Sequence, residues 1–362
     1  MRFGRPSSYT RPVTRVLLVD PQFPDPGIIG EAAALLRAGR LVAFPTETVY
    51  GLGANALDRA AVLAIYAAKE RTADDPLIVH IATMPELDGV ATSVPPAALA
   101  LAKRFWPGGL TIVLPRGPAI APEVSGGGGT VAVRMPSHPV ARALISAAGV
   151  PIAAPSANRF MRTSATTAAH VLEDLDGRID LVLDGGPATA GIESTVVSFD
   201  EAARLIRILR EGAVTVEALR EAAPEGWSVV SGPPGTAAEG SPGRMEKHYA
   251  PRKPLTYVRD PDGREALLAL VREAVSTGST PGVVACADDA ADLAALGAIV
   301  ETVGQRDDVE TVARQLFAAM RALDRSAADM LFARQFAAGG LGRAIDDRLT
   351  RAATKVIEFP EG

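Results

Sequence analysis

Three hydroxyl groups and one carboxylate follow an apolar run early in the chain. The segment FPTETVYGLG at 44–53 supplies them as Thr46, Thr48, Tyr50 and Glu47. A strand predicted over 41–44 leads into them, and α/β sheets place binding sites at the ends of buried strands. Gly51 and Gly53 predict a tight turn that brings the backbone close to a ligand. Taken alone, a hydroxyl-capped turn without a binding role explains the segment equally well.

Three cations stand at the ends of predicted elements. Lys69 falls at the C-terminal edge of the buried face of a helix predicted over 58–69, and Arg71 follows two residues later. Such a pair beside a strand suits a polyphosphate, although simple solvation or complementing the helix dipole also explains it. Arg134 ends the apolar strand predicted over 130–134. A buried cation needs a partner, so this arginine implies either an acidic neighbour or an anionic ligand, and its planar fork suits a carboxylate.

Further polar side chains interrupt apolar segments. His80 lies inside the strand predicted over 77–81, where a hydrogen-bonded core histidine is the usual explanation. A hydroxyl cluster at 163–167 precedes a predicted helix, and one capping residue would account for part of it. Glu193 and Ser194 stand at the start of a later strand. Each of these features is ambiguous by itself.

Short β-branched runs alternate with Ala/Leu-rich segments, which is typical of the α/β class. Strands are predicted at 41–44, 77–81, 110–114, 130–134, 151–154, 180–183 and 195–199, and helices at 28–38, 58–69, 95–104, 137–147, 166–175 and 214–222. The Gly/Pro-rich stretch 231–243 cannot bury enough surface to fold alone, so it predicts a linker or a mobile loop. The alternation then restarts as a small second α/β domain. The predicted organisation is a first domain at 25–222, a linker at 223–252 and a second domain at 253–362.

Length and composition limit the classes of protein. The chain has 362 residues, 48% hydrophobic and 22% charged, which indicates two folded domains rather than disorder. A net charge of −5 argues against a protein held on nucleic acid mainly by phosphate contacts. A single cysteine, Cys286, excludes an internal disulfide framework and is expected to be a buried apolar filler. No run approaches the ~18 apolar residues of a membrane span and no secretory signal is visible, so we expect a soluble cytoplasmic protein.

Three other patterns are weak. GPPGT at 232–236 lacks the Gly-Lys-Ser/Thr that would complete a phosphate-binding loop. GLGANA at 51–56 matches G-x-G-x-x-A but does not directly follow a strand, so a dinucleotide site is not favoured. The four histidines, His80, His138, His170 and His248, lack metal-ligand spacing.

Together and in this order, the motifs are specific. FPTETVYGLG, KER with PLIVHI, FWPGGLTIVL, VAVRMPSHPV, APSAN and DGG with ESTVV resemble the YrdC-like family of L-threonylcarbamoyladenylate synthases. SPGRMEKHYAP at 241–251 and GLGRAIDDRLTRAA at 340–353 are similar to the long, two-domain (Sua-type) form of that family. The resemblance spans residues 25–355.

This resemblance implies a fold and a reaction. The first domain would be a twisted open mixed α/β sheet (YrdC-like) whose concave face holds the site. The second would be a smaller Rossmann-like α/β domain, and the linker would pass over the site as a lid. The reaction would be a nucleotidyl transfer that joins L-threonine, bicarbonate or CO2, and ATP into L-threonylcarbamoyladenylate and pyrophosphate. A separate tRNA threonylcarbamoyl transferase would then modify the tRNA adenosine next to the anticodon.

The resemblance also implies the site residues. For L-threonine they are Thr48, His80, Arg134, the backbone at Ala154, and Ser194. For ATP they are Lys69, Arg71, Asp75, Thr130, Ser156, Ser164, Arg210 and Tyr249. Lys69 and Arg71 would be catalytic, neutralising the phosphates together with Mg²⁺ that accompanies ATP; protein ligands of the metal are not identified. We expect weak or no direct binding of tRNA and no membrane contact.

The chain departs from the family pattern in two places. The family usually has Lys-Gly-Arg-Pro and an Asn before Pro76, whereas this chain has Glu70, Thr72 and Asp75, and 160–163 replaces a Ser-Gly pair. An acid at position 75 would repel phosphates unless it faces the ribose or a metal. Three other functions stay open: a nucleic-acid-binding module, a carbamoyl-transfer enzyme built on a related domain, and a regulator that binds ATP or an amino acid without turnover.

Overall fold

The computed structural model describes residues 13–231 and 247–358, which fold around two separate sheets. The strands are β1 Arg15–Leu18, β2 Val42–Phe44, β3 Gly51–Asn55, β4 Ile78–His80, β5 Leu110–Pro115, β6 Thr130–Arg134, β7 Ile152–Ala153, β8 Leu181–Asp184, β9 Thr195–Asp200, β10 Leu205–Arg210, β11 Ser228–Ser231, β12 Leu255–Val258, β13 Pro281–Ala285, β14 Ile299–Thr302, β15 Met330–Arg334 and β16 Lys355–Ile357. The helices are α1 Pro26–Arg37, α2 Arg59–Lys69, α3 Leu87–Val90, α4 Pro96–Phe105, α5 Pro139–Ala148, α6 Ala168–Leu175, α7 Val216–Ala222, α8 Arg264–Ser276, α9 Ala287–Ala295, α10 Val309–Arg325 and α11 Leu341–Ala352. The GPPGT motif and most of SPGRMEKHYAP lie outside the described residues.

The larger sheet mixes parallel and antiparallel neighbours in the order β1-β8-β2-β3-β7-β4-β6-β5-β9-β10-β11. Every strand predicted in the first domain is present within two residues of its expected limits. Four strands of this sheet, β1, β3, β10 and β11, were not predicted. Strand β10 alternates half-buried and buried residues, LIRILR, so its period of two was readable.

The glycines of β3 have a different role from the one expected. Gly51 and Gly53 lie in an antiparallel strand beside β2 and not in a tight turn. A Cβ on Gly53 would come within 2.8 Å of the Phe44 ring and 3.0 Å of Ile152. The expected turn is therefore wrong: these positions are small because a buried aromatic ring packs across the strand.

Helices cover the sheet because their apolar faces match it. Asp25 caps α1 and Asp58 caps α2, each side chain accepting backbone N–H groups of the first turn. Helix α2 buries Val62, Ile65 and Tyr66 and ends at Lys69, as its apolar spacing predicts. This helix therefore delivers Lys69 to the interior, on the side of the sheet where the larger core lies.

The smaller sheet is parallel throughout, in the order β14-β13-β15-β12-β16. Its elements begin at Leu255, just after the predicted linker; the domain limits 25–222, 223–252 and 253–362 stay a prediction. Cys286 is fully buried at the end of β13. None of the helices in residues 13–231 and 247–358 is long and apolar enough to cross a membrane.

Candidate active site

The ends of several strands meet at one edge of the larger sheet. His80 and Arg134 are the last residues of β4 and β6, which run parallel and pair these two residues directly. Strand β9 runs antiparallel to β6 across β5, so Ser194, which directly precedes β9, reaches the same edge. Arg210 ends β10, which is antiparallel to β9, and arrives there too.

A cavity of about 60 Å³ lies at this edge. It is lined by nine of the predicted site residues: Thr48, Arg71, His80, Arg134, Ala154, Ser156, Ser194, Arg210 and Tyr249. All five residues predicted for L-threonine are among them. The four predicted residues outside this lining are Lys69, Asp75, Thr130 and Ser164.

Arg134 is held from three sides. Its Nη1 donates to the Thr48 hydroxyl at 2.8 Å, and its Nε donates to the Gly108 carbonyl at 3.1 Å. Its Nη2 lies 2.7 Å from a carboxylate oxygen of Glu47. Burial would raise the pKa of Glu47, but the charge and hydrogen bond of Arg134 outweigh it and the pKa is lowered. A fixed, charge-compensated guanidinium thus faces the cavity with donors to spare, since an arginine carries five.

Two further groups complete this side. Burial, and then the charge of Arg134, lower the pKa of His80 to about 3, so its imidazole is neutral at physiological pH. Its Nδ1 is buried and has no hydrogen-bond partner among the described residues. The Ser194 hydroxyl shares a hydrogen bond of 2.7 Å with Thr111. The cavity therefore presents a neutral imidazole and hydroxyls beside a cation.

Lys69 lies one layer behind the cavity. Its ammonium donates to the carbonyl of Ser156, which lines the cavity, at 2.6 Å, and to the carbonyl of Asn158. Burial, and next the charge of Arg71, hold the pKa of Lys69 well below its usual range. Lys69 therefore reaches the cavity wall through the Ser156 carbonyl and does not line the cavity itself.

Arg71 explains the unexpected acid at position 75. Its guanidinium lies 2.8 Å from a carboxylate oxygen of Asp75 and donates to the carbonyls of Asp75 and Pro76. Both side chains are about 5% exposed. Asp75 therefore neutralises the neighbouring arginine and is not part of the cavity lining.

Arg210 and Ser164, two more of the predicted ATP residues, contact Ser194 and its neighbour Glu193. Arg210 donates to the Ser194 carbonyl at 2.8 and 3.1 Å and to its hydroxyl at 3.1 Å. The buried Ser164 hydroxyl donates to Glu193. Thr130 stands at the start of β6, at the far end of that strand from Arg134. The roles assigned to these residues stay predictions.

Residues 247–251 bring two aromatic side chains to the cavity. Tyr249 is buried, has a positive φ of 63° and stacks on Phe317 of α10 at 5.9 Å. The His248 ring meets Tyr249 edge-on at 4.1 Å. Burial, and then the charge of Arg71, lower the pKa of His248 well below its usual range. The end of the predicted linker thus closes one wall of the cavity.

Two acids that contact predicted site residues, Glu47 and Glu193, were not predicted as part of the site. Glu47 and Glu193 were visible within polar motifs, yet their partners, Arg134 and Arg348, lie far away in the chain. The requirement that a buried arginine has an acidic neighbour or an anionic ligand was the available signal, and for Arg134 the acidic neighbour is Glu47. No group of three or more His, Cys, Asp or Glu side chains that could hold a metal occurs among the described residues.

Comparison with known proteins adds independent information. Residues 34–212 match a family model (Sua5_yciO_yrdC) described as telomere recombination, and residues 214–354 match one described as threonylcarbamoyl-AMP synthase, C-terminal domain. The chain is 44% identical over 334 residues to the threonylcarbamoyl-AMP synthase of Bacillus subtilis (strain 168), covering 90% of this chain and 92% of that protein. It is 42% identical to the threonylcarbamoyl-AMP synthase of Pyrococcus abyssi (strain GE5 / Orsay), covering 89% and 93% of the two chains.

A solved structure extends this similarity to three dimensions. The crystal structure of P. abyssi Sua5 complexed with L-threonine matches with a TM-score of 0.86 and 39% sequence identity. The match covers 96% of this chain and 100% of that one. It confirms the predicted architecture of a mixed α/β sheet joined to a smaller α/β domain.

Proposed function

The chain belongs to the threonylcarbamoyl-AMP synthase family, and we propose that it forms L-threonylcarbamoyladenylate and pyrophosphate from L-threonine, bicarbonate or CO2, and ATP. It is an enzyme that uses ATP and L-threonine. Transfer of the adenylyl group from ATP to threonine carbamate would class it as a nucleotidyltransferase.

One observation carries the proposal. The cavity that contains Arg134, the predicted carboxylate ligand, also contains Arg71 and Arg210, two predicted nucleotide ligands. An amino acid and the α-phosphate of ATP could therefore be held close enough to react. Positioning of this kind supplies a large part of the catalysis of bimolecular reactions.

The threonine side would act by binding and orientation. Arg134 would donate hydrogen bonds to the substrate carboxylate, and Glu47 would keep the guanidinium in place. Neutral His80 can both accept and donate a hydrogen bond, which suits the threonine hydroxyl or amine. The deprotonated amine would combine with CO2 to give a carbamate, and a proton would be released. A polar pocket for the hydroxyl would reject valine, whose methyl group would leave polar groups unpaired.

The phosphate side would stabilise charge. The carbamate oxygen would attack the α-phosphorus, forming the new P–O bond as the bond to pyrophosphate breaks. Arg71 and Arg210 would neutralise phosphate oxygens directly. Lys69 would act through the wall at Ser156, whose carbonyl it fixes. No covalent protein nucleophile is required.

Residues 247–251 would serve as part of a lid. A space of about 60 Å³ is far below the several hundred Å³ of a typical ligand pocket, so ATP would have to displace a wall of the cavity. The wall formed by His248 and Tyr249 ends the predicted linker 223–252 and is the natural candidate. Its closure over bound substrates would exclude water, to which carbamates and mixed anhydrides are sensitive.

The remaining partners are proposed on chemical grounds. Mg²⁺ is usually bound through substrate phosphates and few protein groups, so it would arrive with ATP. The product would be consumed by a tRNA threonylcarbamoyl transferase, with weak or no direct tRNA binding by this chain. The reaction would take place in the cytoplasm, where tRNA is modified.

The test is direct. Purified protein is incubated with MgATP, L-threonine and bicarbonate, and the adenylate is detected by mass spectrometry while pyrophosphate is assayed in parallel. We expect both products, and loss of both when bicarbonate or Mg²⁺ is withheld. Binding of ATP and threonine without any pyrophosphate would refute the proposal and favour a regulator without turnover. A gel shift with tRNA at physiological salt tests the nucleic-acid alternative.

A further inference from the structure

A buried arginine of the second domain reaches into the first. Arg348 lies on α11 and its side chain is fully buried. Its Nε donates to a carboxylate oxygen of Glu193 at 2.7 Å, and its Nη2 donates to the Glu211 carbonyl at 2.9 Å. Its Nη1 pairs with Asp347. The guanidinium is therefore fixed in one plane by three acceptors, which a lysine could not reproduce.

Glu193 connects this arginine to both substrate sides. One oxygen of Glu193 accepts from Arg348, and the other accepts from the Ser164 hydroxyl. The next residue, Ser194, lines the cavity and is held by Arg210. A displacement of Glu193 would thus move a predicted ATP residue and a predicted threonine residue together.

The loop that carries Glu193 is pressed against the second domain. Gly191 has a positive φ of 71°, and a Cβ there would come within 2.4 Å of the Arg314 backbone on α10. Phe317 of the same helix stacks on the Tyr249 ring with an interplanar angle of 23°. The guanidinium carbon of Arg348 lies 4.9 Å from the centre of that ring. Tyr249 is therefore seated on two side chains of the second domain.

We propose that Arg348 is a positioning residue of the active site: it fixes Glu193, and through it Ser164 and Ser194, and it holds the Tyr249 ring over the cavity. The second domain then completes the site and is more than an appended module. This inference rests on the proposed function, because the proposed function is what assigns Ser164 and Tyr249 to ATP and Ser194 to threonine.

The charges around Glu193 supply a signature that a purely structural role lacks. Burial would raise the pKa of Glu193, but Arg348 and then Arg210 outweigh it and keep the pKa low. Tyr249 and Asp347 also face this cluster. Without Arg348 the carboxylate would lose the larger of the two cationic charges that lower its pKa, so its pKa would rise.

A matched control exists on the same helix. Arg343 also joins α11 to the first domain, through Glu211 and Glu217, but it is half-exposed and lies outside the cavity. Arg343→Met therefore removes a contact between the domains that involves only side chains outside the cavity lining, and it leaves the Glu211 carbonyl that accepts from Arg348 in place.

The experiment uses the full-length chain with Arg348→Met, Arg348→Lys, the pair Arg348→Met/Glu193→Gln, and Arg343→Met. Urea denaturation checks that each variant folds. The Kd for MgATP and kcat/KM for MgATP are then measured from pH 6 to 8.5. For Arg348→Met we expect at least tenfold weaker ATP binding, and a ratio of its kcat/KM to that of wild type that falls as pH rises. Adding Glu193→Gln should flatten that ratio, Arg348→Lys should also be impaired, and Arg343→Met should behave as wild type.

The inference is overturned if folded Arg348→Met and Arg348→Lys bind ATP like Arg343→Met, or if the ratio of kcat/KM is independent of pH. If Arg348→Met does not fold, the inference is judged from the Kd for MgATP of Arg348→Lys and of the double variant Arg348→Met/Glu193→Gln. If wild type forms no adenylate, the proposed function fails separately, and the ATP affinities of these variants still judge the inference.

Discussion

Arg134→Met should destabilise the protein much more than the double change Arg134→Met/Glu47→Gln does. The two charged groups lie 2.7 Å apart, and their side chains are 4% and 15% exposed. Removing the arginine alone leaves a largely buried carboxylate without its cation, and breaking such a pair typically costs about 3–5 kcal/mol. Replacing both charges leaves no uncompensated charge, and only the Gly108 carbonyl and the Thr48 hydroxyl lose a donor, so most of the free energy of unfolding should return.

The double variant Arg134→Met/Glu47→Gln should regain stability but not the wild-type kcat/KM for threonine. Both variants lack the guanidinium that faces the cavity, and a hydrogen bond to a charged group contributes about 1.5–3 kcal/mol. That energy corresponds to a loss of about 10- to 100-fold in kcat/KM for threonine. The KM for ATP should change little, because Arg71 and Arg210 are untouched.

The contribution of Glu47 to the pH dependence of stability should reverse its sign between wild type and Arg134→Met. In wild type the pKa of Glu47 is below its ordinary value of 4.5, so its stabilisation is present above 4.5 and is lost as the pH falls. Without Arg134, burial raises the pKa of Glu47 above 4.5. The contribution of Glu47 to the stability of the variant is then largest at low pH and is lost as the pH rises through that range.

These effects are measured by urea denaturation at several pH values and by pyrophosphate release with threonine varied at saturating ATP. Arg116→Met serves as the control, since Arg116 donates to the carbonyls of Gly128 and Ile120 outside the cavity. A folded double variant with wild-type KM and kcat for threonine would refute the assignment of Arg134 to the carboxylate.

Three other predictions follow from the same geometry. Lys69→Met should lower the free energy of unfolding by about 2 kcal/mol, because the carbonyls of Ser156 and Asn158 lose their donor, and should lower product yield at least ~10-fold. The destabilisation caused by Lys69→Met should grow as the pH rises toward 10.5. Because the pKa of Lys69 is lowered by folding, the unfolded wild-type chain binds more protons in this range, and wild type, but not the variant, becomes more stable as the pH rises. A destabilisation that shrinks over that range would contradict this reasoning. Asp75→Asn should lower the KM for ATP by freeing the charge of Arg71, and an increased KM in pyrophosphate assays would show that Asp75 helps to bind the nucleotide. Valine in place of threonine should reduce kcat/KM for pyrophosphate release at least ~100-fold, and similar rates would show that the hydroxyl is not recognised.

The sequence predicted the parts of the site that depend on local order. Apolar strands ending in His80 and Arg134, and an apolar helix face ending in Lys69, place each group at an element terminus without any long-range information. The mixed sheet order could not be derived from such patterns, and here the family resemblance supplied it. Strand β3 was missed because a Gly-rich segment has low strand propensity, and only the Phe44 ring that crosses it explains the glycines.

Charge compensation was the main gap in the sequence-based prediction. The pairs Glu47–Arg134 and Glu193–Arg348 join residues 87 and 155 positions apart, and no spacing rule connects them. Asp75 illustrates the same limit over a short distance. Its carboxylate was expected from the sequence to repel the phosphates. In the structure that carboxylate forms an ion pair with Arg71, four residues earlier.

Coupling between the second domain and the site must act in both directions. If the Phe317 and Arg348 seat favours the orientation of Tyr249 that binds ATP, then bound ATP favours the docked second domain by the same free energy. The contacts that would transmit this energy are buried and charged: Arg321 of α10 also pairs with Asp174 and donates to the Thr163 carbonyl, next to Ser164. Ordering of the two domains and closure of the cavity are then one equilibrium. A chain cut between the two sheets would therefore lose nucleotide affinity even if its first domain folded.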